Sequence, residues 1–226
     1  MKGFFVTGIG TDIGKTVVSA VLVEALKADY WKPVQSGGLE YTDSDFVREH
    51  TLHSGNFHPE VYRFRTPVSP HLAAEIEEQV IPIEQIKPVN TNNYLIVEGA
   101  GGLMVPLTDK ILIKDLIKVL QLPVIVVSKN YLGSINHTLL TLEALKHADI
   151  SVAGIIFNGE PNQDSESYIQ QYTRVPVLGR VEKADILSKG FIAQQAEKLR
   201  PALLKCLPPA DADTPSTSLN IDYESI

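Results

Sequence analysis

The stretch VTGIGTDIGKTVVSA, residues 6–20, holds the first groups that can do chemistry. An apolar run leads into glycines at 8, 10 and 14, and Gly14-Lys15-Thr16 opens a helical pattern. Strand, glycine turn and helix in that order are the setting of a phosphate-binding loop. Glycines let successive backbone N–H groups converge on one anion, and a helix N-terminus adds partial positive charge. Lys15 would reach the β- and γ-phosphates of a nucleotide, and the Thr16 hydroxyl would ligate Mg²⁺. The spacing is not GxxxxGK[ST]: Gly8 lies one residue too far from Gly14, and Gly10 one too near. A glycine turn that merely starts a helix is the plain alternative, and the flanking strand and helix patterns favour phosphate.

In an open parallel sheet a ligand lies beyond the carboxyl ends of the strands, so those ends can be read in turn. WKPVQSGG supplies Lys32 and Ser36, the latter beside two glycines. YLIVEGAGG supplies Glu98 after an apolar run, followed by Gly99, Ala100 and Gly101. A carboxylate at the tip of a buried strand suits Mg²⁺ near phosphates. TDSD, residues 42–45, offers Asp43 and Asp45 as further metal partners, or as caps of a helix. Asn158 ends another strand with an amide that suits the N6/N7 edge of adenine. His71 and His137 read as capping or core-edge residues.

These groups need a sheet to hold them. Five short runs are apolar throughout, as in strands covered on both faces: GFFVTG (3–8), YWKPV (30–34), NYLIVEG (93–99), LPVIVVS (122–128) and VAGIIFN (152–158). PVLGRV (176–181) is a weaker sixth. Helical patterns follow at 14–28, 135–148 and 162–173. The alternation predicts an α/β fold, a doubly wound, mostly parallel sheet with helices on both faces. Residues 36–92 read as loops and short helices inserted between the second and third main strands. Residues 1–206 read as one domain, and 207–226, rich in Pro, Ser, Thr and Asp, as a flexible tail.

The 226 residues carry a net charge of −7, so no global basic field recruits nucleic acid or an anionic membrane. The single cysteine, Cys206, forms no internal disulfide, and the expected compartment is the cytoplasm. MKGFFVTGIG does not read as a signal peptide, and no apolar run approaches the roughly 20 residues that span a bilayer.

Together these stretches resemble the dethiobiotin synthetase family. The resemblance rests on GIGTDIGKT, on KPVQSG, and on Ser44-Asp45. PVSPHLAA, VEGAGG and LGSINHTLLT extend it, in order, from residue 3 to about 206. It implies an ATP-dependent cyclo-ligase acting on 7,8-diaminononanoate and CO₂ with MgATP, through a carbamate and a carbamic–phosphoric anhydride. Lys32 would be the catalytic lysine, with Lys15 beside it, and Mg²⁺ would be held by Thr16, Asp45 and Glu98. Asp12, Ile13, Gly14, Lys15, Thr16 and Val17 would wrap the phosphates. Glu98, Gly99, Ala100 and Gly101 would line the nucleotide side, and Asn158 would read adenine. Thr11 and Ser36 would position diamine and carbamate. Gly133, Ser134, Ile135 and Asn136 would hold the substrate's carboxylate across a homodimer interface. One departure stands out: Glu182 in LGRVEK occupies the family's proline position, so no adenine contact is carried over there.

Two other classes compete. A switch ATPase of the partitioning type has a second lysine early in its P-loop, where this chain has Ile and Thr. An amide-forming synthetase of the corrin-amidating kind brings a nucleophilic cysteine, and Cys206 lies in the last helical stretch with no nucleophile elbow.

Overall fold

The structure, a computed structural model, describes residues 2–207, so the expected tail lies outside the described residues but for Leu207. Strand β1 (Lys2–Gly8) is buried from its second residue onward, which its unbroken apolar run requires. Helix α1 (Lys15–Leu26) follows, and ten of its twelve residues are buried. It is apolar on nearly every side because it is packed between the sheet and other helices. The chain then forms β2 (Asp29–Trp31), β3 (Val34–Ser36), α2 (Asp43–His50), β4 (Phe57–His58), β5 (Tyr62–Phe64) and α3 (Pro70–Ile76). After a 3₁₀ turn at Ile83–Gln85 come β6 (Tyr94–Glu98), α4 (Ile113–Leu120), β7 (Val124–Lys129) and α5 (Ser134–His147). The chain continues through β8 (Val152–Asn158), α6 (Gln163–Thr173), β9 (Val177–Val181) and α7 (Lys189–Cys206).

The main sheet has seven strands in the order β4-β2-β6-β1-β7-β8-β9, and its pairings are all parallel. The chain thus begins in the middle and winds outward in both directions, which with right-handed crossovers covers both faces. Helix α1 packs against α2 and α7, and α5 packs against α6. Connections leave the adjacent strands β1 and β6 toward opposite edges, to β2 and β7 respectively. That divergence opens the crevice where doubly wound sheets bind ligands.

YWKPV is not one strand. It breaks at Lys32-Pro33, with β2 in the main sheet and β3 paired to β5 in a separate two-stranded sheet. Pro33 lacks an N–H and restricts Lys32, so the ladder cannot run through it. Its carbonyl instead accepts from Val61 N at 2.8 Å and Tyr62 N at 3.1 Å. The break leaves Lys32 projecting at the carboxyl end of β2. The insertion at 36–92 also holds more regular structure than its composition suggests, including β4, which adds an edge strand to the main sheet beside β2.

Candidate active site

The loop after β1 turns into α1 through Gly14, whose φ is +89°. A side chain there would be strained in backbone, and its Cβ would lie 2.0 Å from Asn158 Nδ2. Asp12 is also left-handed, at φ +57°. Lys15 is buried and its Nζ donates to Gly10 O at 2.9 Å, so the ammonium arches over its own loop. Burial lowers its pKa, with Lys32 adding to the effect and Glu98 and Asp43 opposing it.

Three oxygens converge beyond the ends of β1 and β6. Thr16 Oγ1 lies 2.9 Å from Glu98 Oε1 and 3.0 Å from Asp43 Oδ1. A hydroxyl has one proton, so it cannot satisfy both carboxylates at once. Lys32 Nζ reaches the same pair, bonding Asp43 Oδ2 and Glu98 Oε1, the latter at 3.1 Å. Burial alone would depress the Lys32 pKa, and the charges of Glu98 and Asp43 outweigh it, so Lys32 is held as a cation above the usual lysine value. Glu98 is itself 1% exposed. Its second oxygen, Oε2, accepts from the hydroxyl of Tyr30 at 2.9 Å. Tyr30 is fully buried, and burial followed by the Glu98 charge drives its pKa well above the ordinary tyrosine value, so it remains a donor.

Among the described residues there is no cluster of three or more His, Cys, Asp or Glu fit to hold a metal alone. Two carboxylates and a hydroxyl are what Mg²⁺ takes from a protein when phosphate oxygens and water complete its octahedron. The excess of acceptor oxygens over protons at Thr16, Asp43 and Glu98 fits such a cation.

The cleft above these groups has a volume of about 830 Å³. It is lined by Lys15, Thr16, Lys32, Asp43 and Glu98 at its base. Thr11, Asp12, Val17, Ser36, Ala100 and Gly101 from the predicted set also line it. Pro67, Val68 and Pro70 from PVSPHLAA, with Val105, make an apolar wall beside Ser69 that no single-residue reading singled out. Ser36 Oγ and Gln35 Oε1 are buried in the wall without a partner, and polar atoms so placed ordinarily have one.

Asp45 requires a correction. It is the third residue of α2 and closes a capping box: Thr42 Oγ1 accepts from Asp45 N at 3.1 Å, and Asp45 Oδ2 accepts from Thr42 N at 3.0 Å. Its other oxygen bonds Arg48 at 2.7 Å. Residues two apart on a helix face different ways, so Asp43 stands at Thr16 and Lys32 while Asp45 caps. The sequence offers both aspartates, and helix phase sets Asp43, not Asp45, against Thr16 and Lys32.

Three other predicted nucleotide residues flank the cleft without lining it. Ile13 is buried in the core. Gly99 lies against Phe5, to whose ring a Cβ would come within 2.9 Å. Asn158 donates through Nδ2 to Ile13 O at 2.9 Å, bracing the phosphate loop with one of its two N–H groups. Gly133 caps α5 with φ +101°, and Ser134, Ile135 and Asn136 form that helix's first turn away from the cleft. His137 bonds the Tyr131 hydroxyl at 2.7 Å and His71 bonds Ser69 Oγ at 3.0 Å, and neither histidine lines the cleft. Glu182 ties β9 to α7: it accepts from Lys198 Nζ at 3.0 Å and Gln195 Nε2 at 3.3 Å. No helix among the described residues is long and apolar enough to cross a membrane.

A family model described as an AAA domain matches residues 2–190. The ATP-dependent dethiobiotin synthetase of Christiangramia forsetii is 48% identical over 203 residues, covering 89% of this chain and 98% of that protein. That of Cytophaga hutchinsonii is 50% identical over 202 residues, covering 88% and 97%. Among solved structures, the cell division ATPase MinD of Pyrococcus furiosus aligns at a TM-score of 0.58 with 16% identity, covering 91% of this chain and 99% of that one. A ParA family ATPase from Chlorobium tepidum aligns at 0.55 with 15% identity, covering 90% and 96%. At such identities the structural likeness speaks to the parallel-sheet P-loop fold.

Proposed function

The chain belongs to the dethiobiotin synthetase family, and from that premise we propose how its cleft carries out ATP-dependent dethiobiotin synthesis. An amine of 7,8-diaminononanoate adds to CO₂ and loses a proton, giving a carbamate. A carbamate oxygen attacks the γ-phosphorus of ATP and ADP leaves, forming a carbamic–phosphoric anhydride. The second amine then attacks the carbonyl carbon, closes a five-membered urea ring and expels phosphate.

The observation that carries this reading is the cationic pair Lys15 and Lys32 set against Thr16, Asp43 and Glu98 in one cleft. Two anions, carbamate and γ-phosphate, must meet, so the protein has to supply positive charge and alignment rather than a strong base. Lys15 answers the phosphates from the loop side. Lys32 approaches from β2, and its bonds to Asp43 and Glu98 hold it charged and placed. Thr16, Asp43 and Glu98 would hold Mg²⁺, which when bound neutralises charge developing on the phosphate oxygens. Ser36, with its unpaired hydroxyl, and Thr11 position the carbamate end of the substrate.

The substrate's far carboxylate is held by Gly133, Ser134, Ile135 and Asn136 of a second copy in a homodimer. Ser134 N is taken by Tyr131 O at 3.0 Å, so the N–H groups of Ile135 and Asn136 are the ones this 14-residue helix can offer an anion, and fully exposed Leu132 with exposed Tyr131 and Leu140 gives that end an apolar surface to cover. Sedimentation velocity should show a dimer, and a monomer at assay concentration would end that part of the reading.

The test of the activity is ADP release with MgATP and bicarbonate, with and without 7,8-diaminononanoate, the product weighed by mass spectrometry. ADP that requires the diamine and matches a product of dethiobiotin mass is expected. Equal ADP without the diamine, and no new product, would point instead to a switch ATPase.

A further inference from the structure

We infer that Tyr30 is a positioning residue for the metal-binding carboxylate of Glu98, an assignment that rests on the Mg²⁺ reading above. Parallel pairing sets Tyr30 opposite Ile96. Glu98 is two residues beyond Ile96, and alternation puts it on the same face of the sheet as Ile96 and Tyr30. Tyr30 is thus a diagonal neighbour of Glu98, within reach of an aromatic side chain. Its hydroxyl arrives at Glu98 Oε2 at 2.9 Å. Glu98 Oε1 is the oxygen shared with Thr16 and Lys32.

The two carboxylate oxygens therefore have different duties. Oε2 is held by a buried, neutral donor that cannot leave, because the Tyr30 ring is packed in the core beside Phe57 at a centroid distance of 6.1 Å. With Oε2 held by Tyr30, the carboxylate is kept from turning that oxygen toward the cation, and Oε1 stays on the side of Thr16 and Lys32. Oε1 is presented singly and in one direction. The ring alone would serve packing, and phenylalanine would fill that volume equally. The hydroxyl is explained by what it touches. Partners that hold a metal-ligating carboxylate are worth about 10- to 100-fold in metal affinity when removed.

The test is Tyr30→Phe, which keeps the ring and deletes the donor. ADP affinity is measured by isothermal titration with and without Mg²⁺, for wild type and variant. The expected result is that Mg²⁺-dependent tightening of ADP falls about tenfold while Mg²⁺-free ADP affinity stays within about twofold. Unchanged tightening in the variant would make the hydroxyl a bystander and overturn the assignment alone. An equal loss with and without Mg²⁺ would show a general packing effect and overturn it too. No tightening by Mg²⁺ even in wild type would instead remove the metal site itself, and the assignment with it.

Discussion

Two buried carboxylates lie at opposite ends of neighbouring strands, and their surroundings differ in kind. Asp29 begins β2 and is 1% exposed, as is Glu98 at the end of β6. The hydrogen bonds to Asp29 come from neutral donors, Asn56 N at 2.9 Å, Thr91 Oγ1 at 2.6 Å, and the amides of Asn56 and Asn93 at 3.3 Å, with the His58 ring nitrogen Nε2 farther off at 3.7 Å. Around Glu98 stand a lysine, a second carboxylate sharing one hydroxyl, and a tyrosine. The first set closes on itself and ties β2 to the 56 and 91 loops. The second leaves surplus acceptors and two lysines facing a cleft. A buried charge saturated by neutral donors is built for stability, whereas one set among other charges is built for a ligand that completes it.

The contrast can be broken at Lys32 with the largest effect. Lys32→Ala should lower turnover about a thousandfold while MgADP affinity changes only a few-fold, because its charge is needed chiefly as charge moves in the transition state. Loss of binding with normal single-turnover chemistry would remove its catalytic role.

A paired exchange comes next. Glu98→Gln should cost about a hundredfold in turnover with little change in melting temperature. Asp29→Asn should do the reverse, losing roughly 2 kcal/mol of stability with turnover near wild type. Its pH dependence sharpens the point. Burial alone would raise the Asp29 pKa, but the hydrogen bonds from Thr91 and Asn56 outweigh it and hold it below the ordinary aspartate value. A depressed carboxyl pKa contributes stability that is fully present above about pH 4 and lost as pH falls through the folded-state value. Acid denaturation curves of Asp29→Asn should therefore be flatter below about pH 4 than those of wild type. Curves of equal steepness would count against the saturated-donor account.

The finest comparison lies within α2. Asp43→Ala should reduce kcat/KM by about tenfold or more and raise the Mg²⁺ needed for half-activity. Asp45→Ala should cost about 1 kcal/mol of stability through the lost capping box and leave the Mg²⁺ response unchanged. A Mg²⁺ effect in the Asp45 variant would restore the reading of Ser44-Asp45 as the metal aspartate.

Much of this architecture is legible in the chain because strands buried on both faces leave unbroken apolar runs. The phosphate loop is legible for a related reason: glycine tolerates the left-handed turn at Gly14, and Lys15-Thr16 must follow at once. Glu98 stands out because it ends such a run, and Lys32 and Ser36 stand out through the family motif KPVQSG. Other features depend on partners distant in sequence. The strand at Phe57–His58 is two residues long and exists only because β2 offers it an edge. Asp43 and Asp45 are chemically equal in the sequence, and only the start of α2 at Asp43 fixes which one faces Thr16. Tyr30 reads as one more apolar strand residue until register brings it to Glu98. Asn158 carried a base-reading expectation from its chemistry, but its amide also braces the loop carbonyl of Ile13.

Attack of a carbamate oxygen on the γ-phosphate in this cleft leaves an isotopic trace. Running the reaction with ¹⁸O-labelled CO₂ and unlabelled water, under conditions of slow exchange, tests it most directly. One labelled oxygen is expected in each released phosphate, because ring closure expels phosphate with the carbamate oxygen attached. Phosphate without label, released alongside dethiobiotin, would contradict it.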